Sequence, residues 1–326
     1  FRIPSEVNGI KLKTIESSSF SSMSLQGWEV VIPNTVTNIK DVAFAYSGIS
    51  KVNIPPSVTS IGNLAFFNNK IMELFIPNSV ISIGTLAFND NKVSDTSKAW
   101  IYKRTKEGVD YSTIIGYAGT ERNNVTIPSE QAGVPLKNIA GKALYGESFT
   151  GILKIPKTVV SIAALAFNNN DVAYVDNGDG SLALGFIYGR KQNGEIDYTN
   201  IIGYAGKSTK EVTIPSSVTS ISSTAFYASL IEGVVFPEGL ISIGNSAFEI
   251  CKLNGMITLP TTVKSIGANA FKKTVSYMGF NDNLTKIVNK TGRKFDWKVI
   301  TGGPTDATFE YGTVENWYGN IEVVKG

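Results

Sequence analysis

The sequence predicts a repeat solenoid, predominantly β with short helical or 3-10 turns, of about nine coils with two inserted β-hairpins. Three observations predict it. Nine of the twelve prolines hold the same place in one pattern: Pro4, Pro33, Pro55, Pro77, Pro128, Pro156, Pro215, Pro237 and Pro260. Plain copies such as "VNIPPSVTSIGNLAF" from Val52, "LFIPNSVISIGTLAF" from Leu74 and "VTIPSSVTSISSTAF" from Val212 recur every 22 or 23 residues. A fixed period of that length marks units that bury their apolar faces only by stacking. A longer segment also occurs twice, as "AWIYKRTKEGVDYSTIIGYAG" from Ala99 and "GFIYGRKQNGEIDYTNIIGYAG" from Gly185.

Each position of the short repeat has a physical reading. The apolar pair before proline (Val52 and Ile54, Leu74 and Ile76) flanks one outward residue, the period of a strand with one buried face. Proline then ends the strand, because it has no N–H for a ladder. A small hydroxyl residue follows in the bend: Thr35, Ser57, Ser79, Thr158, Ser217 and Thr262, placed to bond backbone groups there. Val58, Ile61 and Phe66 are expected to point inward, with the "AF" pair on a short helical or 3-10 turn. Three residues after that phenylalanine comes a second polar column, Ser47, Asn69, Asn91, Asn170, Ser229 and Cys251. This is an asparagine-ladder arrangement, and it makes Cys251 a core thiol rather than a nucleophile. Crossovers between parallel strands are expected to be right-handed.

Two copies, "IPSEVNGIKLKTI" from Ile3 and "IPSEQAGVPLKNI" from Ile127, carry an extended turn and form a subtype. The second follows a "GYAG" segment, so the natural chain is expected to continue upstream of Phe1 with another such insertion. In the long segments, an "IY.R" run and a run ending in "IIGYAG" flank a polar glycine turn. Asn193-Gly194 in one of them is a strong hairpin signal. We place the hairpin insertions at about 99–119 and 185–206, within a solenoid domain spanning 1–275. Residues 276–326 are expected to form a capping unit, with two strands around Glu315-Asn316 that close the core or begin a further module.

Composition narrows the chemistry. The chain has no histidine, which removes histidine-based triads and histidine metal sites. A lone cysteine provides neither a disulfide framework nor a thiolate cluster. A net charge of +3, spread along the chain, is too small to indicate nucleic acid. No apolar run is long enough to span a membrane. Several lures fade on inspection. "GYAG" leads into no helix and lacks the Lys-Ser/Thr of a phosphate loop. "KTG" at Lys290 has no partnering Ser-x-x-Lys. "DNGDGS" from Asp176 lacks the glutamate of a calcium loop and reads as a polar turn. No catalytic, cofactor-binding or metal-binding residue is therefore assigned, and no cofactor is expected.

The in-register copies "IPPSVTSIGNLAF" with "NNKI", and "AFEICKL", resemble the BspA-like leucine-rich repeats of bacterial surface proteins. The resemblance implies a curved solenoid related to the leucine-rich-repeat horseshoe. It also implies a secreted or cell-wall-associated bacterial protein, non-enzymatic, used in adhesion or protein–protein contact. A monomer that binds a host or neighbouring-cell protein, or a glycan, fits this reading; a stalk presenting another domain is the alternative. The outward residues between the buried pairs are the candidate contact surface: Arg2, Val31, Asn53, Phe75, Thr126, Lys154, Thr213, Val235 and Thr258. Phe75 with Val31 is the best apolar candidate. The hairpin aromatics Trp100, Tyr102, Tyr111, Phe186, Tyr188 and Tyr198 are a second set, either exposed for a partner or packed cross-strand onto the solenoid.

Overall fold

The computed structural model describes residues 1–207, 211–272, 283–302, 308–309, 312–314 and 320–326. The chain forms two compact units: Phe1–Asn123 with Pro128–Glu147, and Asn124–Ile127 with Ser148–Gly326. Both are β-solenoid, and together they make about 11 turns with very little helix. The count exceeds the nine coils expected from the prolines.

The reason lies in the hairpins. In the first unit, two-residue strands form a parallel ladder in which Ile15 faces Ile39, Ile39 faces Ile61, and Ile61 faces Ile83. Thr113–Ile114, inside the returning strand of the first hairpin, pairs in the same parallel way with Asn138–Ile139. In the second unit Asn200–Ile201 pairs with Ser220–Ile221, which continues to Ser242–Ile243 and Ser265–Ile266. Each "IIGYAG" strand therefore is a coil's own inner strand, without the proline that marks the others. The hairpins replace part of a coil instead of interrupting one.

The strand before proline behaves as its alternation requires. Glu29–Val31 pairs in parallel with Lys51–Asn53, burying Val30, Ile32, Val52 and Ile54. The proline carbonyl then accepts the N–H three residues on, as from Val36 to Pro33 (3.0 Å), Val58 to Pro55 (3.0 Å) and Val218 to Pro215 (3.0 Å). That closes the bend left when the ladder stops. Hydroxyls of the first polar column also bond into it: Ser57 Oγ donates to the Val36 carbonyl at 2.7 Å, and Thr262 Oγ1 to that of Leu240 at 2.7 Å. Coils approach so closely beyond the inner strand that a Cβ at Gly84 would lie 2.4 Å from the Asn63 nitrogen. A side chain there would force the coils apart.

The "AF" segment is not helical. It is a run of turns with two left-handed residues, Leu64 (φ 55°) and Asn68 (φ 50°) in one coil, Thr224 (φ 60°) and Ala228 (φ 59°) in another. Alternate N–H groups reach the next coil: Leu64 to Thr85, Phe66 to Ala87 and Asn68 to Asn89, at 3.0, 2.8 and 3.1 Å. The N–H groups between them keep local bonds three residues back, as from Phe67 to Leu64 (3.1 Å) and Tyr227 to Thr224 (3.0 Å), so the segment alternates local with intercoil bonds and propagates no helix. Phenylalanines consequently stack in columns. Phe20, Phe44, Phe66 and Phe88 lie 5.0, 5.1 and 5.3 Å apart within 6° of parallel. Tyr204, Phe226, Phe248 and Phe271 form the column of the second unit.

The asparagine ladder is present. Asn69 Oδ1 accepts from the Ile49 N–H at 3.0 Å, while its Nδ2 donates to the carbonyls of Phe44 (2.8 Å) and Phe66 (3.1 Å). Asn91 repeats this one coil on. Cys251 is fully buried in the same column, its thiol 3.0 Å from the Phe226 carbonyl and 3.3 Å from Ser229 Oγ. Both extended turns are two-residue hairpins with left-handed central residues: Asn8 (φ 51°) and Gly9 (φ 76°), Ala132 (φ 51°) and Gly133 (φ 75°). In the "DNGDGS" turn, Asp176 accepts the N–H groups of Gly178 and Gly180, and Asp179 that of Ser181.

Toward the C-terminus, Asn254–Leu259 pairs with Asn283–Asn289, which pairs with Ile321–Lys325, all parallel. Gly312–Val314 pairs antiparallel with Ile321–Lys325, and Glu315-Asn316, where a turn between two strands is expected, lie outside the described residues. A short helix, Trp297–Thr301, is capped by Asp296 and buries Trp297 and Ile300 in the same core as Phe271.

Candidate partner-binding site

In the first unit the outward residues of successive coils fall into one column. Arg2 bridges to Val31, Val31 faces Asn53, and the Lys51–Glu73 bridge sets Asn53 abreast of Phe75. Arg2 and Asn53 are exposed and Val31 is half-buried. Phe75 is 76% exposed, although its neighbour Leu74 is buried. A phenyl ring left so open, at a position that elsewhere carries arginine, lysine, asparagine, threonine or valine, has no folding rationale of its own.

Two grooves meet at Phe75. One, of about 390 Å³, runs between Phe75 and the first hairpin and is lined by Trp100, Tyr102, Arg104 and Tyr111, with Gln131 at its margin. The other, of about 420 Å³, lies against Met72, Lys51 and Lys98, the last of which also lines the first. Four residues singled out in the sequence, Phe75, Trp100, Tyr102 and Tyr111, therefore line a single concavity. The hairpin geometry does this: Trp100–Thr105 pairs antiparallel with Gly108–Tyr117, with bulges between Asp110 and Gly116 that stagger its aromatic residues. Trp100 tilts over Tyr117 at 4.6 Å, and Tyr102 meets Tyr111 edge-on at 5.2 Å. Tyr102 is buried at the floor, Trp100 and Tyr111 are half-buried at the walls, and Tyr117 belongs to the core.

Arg104 was not among the expected contact residues, although the shared "IY.R" run displays it. Its Nη2 donates to the Ile76 carbonyl at 3.3 Å, a group that no neighbouring strand covers once the hairpin has replaced a pre-proline strand. Burial lowers the guanidinium's pKa, while burial and the nearby Tyr111 push the Tyr102 phenol up to about 12. Both groups keep their protons across the physiological range.

The second unit carries the remaining candidates. Thr126 bridges to Lys154, and both are exposed. Thr213 faces Val235, also exposed, and Thr258 is half-buried. In the second hairpin Phe186 and Tyr188 are buried, so their rings pack onto the solenoid and present no open face. Tyr198 is 37% exposed, and its hydroxyl donates to Asp179 Oδ2. A groove of about 380 Å³ beside this hairpin is edged by Tyr174 and Leu184, exposed apolar residues that lack a repeat position by which to find them in the sequence.

Six copies of the BspA type leucine rich repeat region match residues 6–99 and 202–294, more than half of the chain. The chain belongs to the BspA-type leucine-rich repeat family. The stretch between the matches holds the first hairpin and all but the end of the second, where this BspA-type chain departs most from the plain repeat. No curated protein matches the sequence. Among solved structures, the chain is similar to the pneumococcal vaccine antigen PcpA, with 17% identity, 89% of this chain and 71% of that one covered, and a TM-score of 0.43. It is also similar to a leucine-rich repeat protein from Eubacterium ventriosum (22% identity, 80% and 66% covered, TM-score 0.42). A leucine rich cell surface protein from Faecalibacterium prausnitzii gives 21% identity, 85% and 63% covered, and a TM-score of 0.41. This chain thus spans about two thirds of the length of the latter two. Among the described residues no helix is long and apolar enough to cross a membrane.

Proposed function

We propose that this chain is a non-enzymatic binding module of a bacterial surface or secreted protein, and that it engages a protein partner through the Phe75 groove. The observation that carries this reading is Phe75 itself: 76% exposed, on the outward column, and shared by two adjoining grooves. A few anchor residues, aromatic ones prominent among them, carry most of the binding energy at protein interfaces. Membership of a repeat family that is generally non-enzymatic supports the absence of catalysis and the surface location. Val31, Asn53, Trp100 and Tyr111 extend the surface in the first unit. Thr126, Lys154, Thr213, Val235 and Tyr198 offer a further one in the second.

Capture of surface proteins from neighbouring or host cells by the immobilised chain, compared with Phe75→Ser and Tyr111→Ala, tests the proposal. Loss of the captured protein in both variants, with unchanged circular dichroism, is the expected result. Undiminished capture would move the site elsewhere, and no specific capture would favour the spacer reading.

A further inference from the structure

The two hairpins answer each other residue for residue: Tyr102 corresponds to Tyr188, Arg104 to Arg190, and Tyr111 to Tyr198. Their ring pairs are alike, 5.2 Å and edge-on in the first, 4.9 Å and edge-on in the second. Their polar groups are not alike. In the second hairpin Arg190 spends its donors on four backbone carbonyls, those of Val159, Tyr188, Gly189 and Asn177. There the Tyr198 hydroxyl donates to the carboxylate of Asp179, which the "DNGDGS" turn brings over the hairpin.

In the first hairpin no described residue plays the part of Asp179. The Tyr111 hydroxyl has no partner among the described residues. Two donors at the groove floor, the Tyr102 hydroxyl and Arg104 Nη1, are shut off from solvent without any hydrogen bond. Leaving a buried donor unmade is costly, so such groups are normally satisfied, and both of these belong to residues that line one groove, just beneath its surface, where an acceptor reaches them once the covering side chains shift. Both donate, one carries a positive charge, and the walls are aromatic and apolar. We infer that the groove lined by Phe75, Tyr102, Arg104 and Tyr111 receives an acidic side chain of a protein partner, whose carboxylate takes the donors of Tyr102 and Arg104 while flanking apolar residues pack on Phe75.

Asp179 is a partial precedent: it bonds Tyr198, the counterpart of Tyr111, and its charge acts on Arg190, the counterpart of Arg104, so the second hairpin meets a carboxylate of its own chain. The inference rests on the partner-binding reading above and adds the chemistry of the contact. It also separates function from folding at one atom. Removing the Tyr102 hydroxyl takes nothing from the fold, since it bonds to nothing there, but it takes a donor from the ligand.

An array of random dodecapeptides, acetylated and amidated so that only side chains supply carboxylates, is probed with the full chain, alongside an array of sialic- and uronic-acid glycans. Bound peptides are expected to be enriched in Asp and Glu. Replacing the acid by its amide, or using Tyr102→Phe or Arg104→Gln, is expected to weaken binding about tenfold or more, as for a lost charge-assisted bond. Tyr102→Phe that binds as tightly as the parent, or bound peptides without acid enrichment, overturns the inference while the partner-binding reading stands. Binding of acidic glycans with no peptide bound overturns the protein partner. No binding to either array at tens of micromolar chain overturns both readings.

Discussion

Asn89 Nδ2 donates to Glu147 Oε1 at 2.6 Å, joining residues 58 apart in sequence and both buried. Glu147 stands three residues after Leu144, at the place where other coils carry Asn, Ser or Cys of the ladder. Arg122 lies 3.1 Å from its other oxygen. Burial nevertheless dominates and pushes the carboxyl up to about 8, against the opposing pull of Arg122 and of the Asn89 bond.

A carboxyl whose pKa is higher folded than unfolded binds its proton more tightly in the native state. Its contribution is complete below the unfolded value of 4.5 and is lost as pH rises through about 8. Denaturant unfolding should therefore show the chain less stable at pH 9 than at pH 5. Glu147→Gln, which cannot ionise, is expected to flatten that profile and exceed the parent at pH 9 by about 1–3 kcal/mol. A parent that gains stability between pH 5 and 9 relative to Glu147→Gln would refute this.

The ladder predicts unequal costs within one column. Asn69→Ala strands the Ile49 N–H and the Phe44 carbonyl, and is expected to cost about 3 kcal/mol in urea titration. Cys251→Ser should cost less than about 1.5 kcal/mol, since serine already fills that position at Ser47 and Ser229. The native thiol, fully buried, should react with a thiol reagent only on unfolding.

Ala132 holds φ 51° at a tight-turn position where its counterpart is Asn8. A left-handed conformation costs an L-residue with a Cβ about 1 kcal/mol. Ala132→Gly or Ala132→Asn is expected to raise stability by up to about 1 kcal/mol, read as a shift in the denaturation midpoint. An equal loss would mean that the turn has another geometry.

Tyr198 is pushed up to about 12, first by desolvation and next by its bond to Asp179. Asp179→Asn is expected to bring its titration toward the ordinary tyrosine range, seen as a phenolate absorbance step at lower pH. An unshifted step would remove Asp179 as a cause and weaken the parallel with the first hairpin.

Much of this was legible in the residues. The prolines and the alternation around them locate the strands before Pro33, Pro55, Pro156, Pro215, Pro237 and Pro260, while Pro4, Pro77 and Pro128 follow only single bridges; the polar columns at Ser57 and Asn69 name side chains that do bond the backbone. The coil count was short because "STIIG" at Ser112 carries an inner strand without any upstream proline. The "AF" turns read as helical because their left-handed residues, among them Leu64 and Val42, are not types that favour φ above zero; stacking against the next coil imposes it. The hairpin aromatics were named together, but which rings face outward depends on bulges that no residue type announces. Arg104 and Glu147 were missed for opposite reasons. Arg104 sits in a motif whose tyrosines are the more evident contact residues, and Glu147 follows a leucine where the column is otherwise marked by phenylalanine.

The phenylalanine columns bear on how such a chain can change length. Phe44 and Phe66, 22 residues apart, stack at 5.1 Å and 5°; Phe248 and Phe271, 23 apart, stack at 5.5 Å and 11°; Phe20 and Phe44, 24 apart, stack at 5.0 Å and 5°. The columns therefore hold while the coil length varies by a residue or two, because the difference is taken up away from the ring, the ladder residue and the inner isoleucine. Larger additions sit in turns and hairpin tips, such as Asn8-Gly9 and Asn193-Gly194, where a longer arm disturbs no column. A gene for such a protein can lengthen by copying a coil, and can acquire new surface at those turns without disturbing the stack.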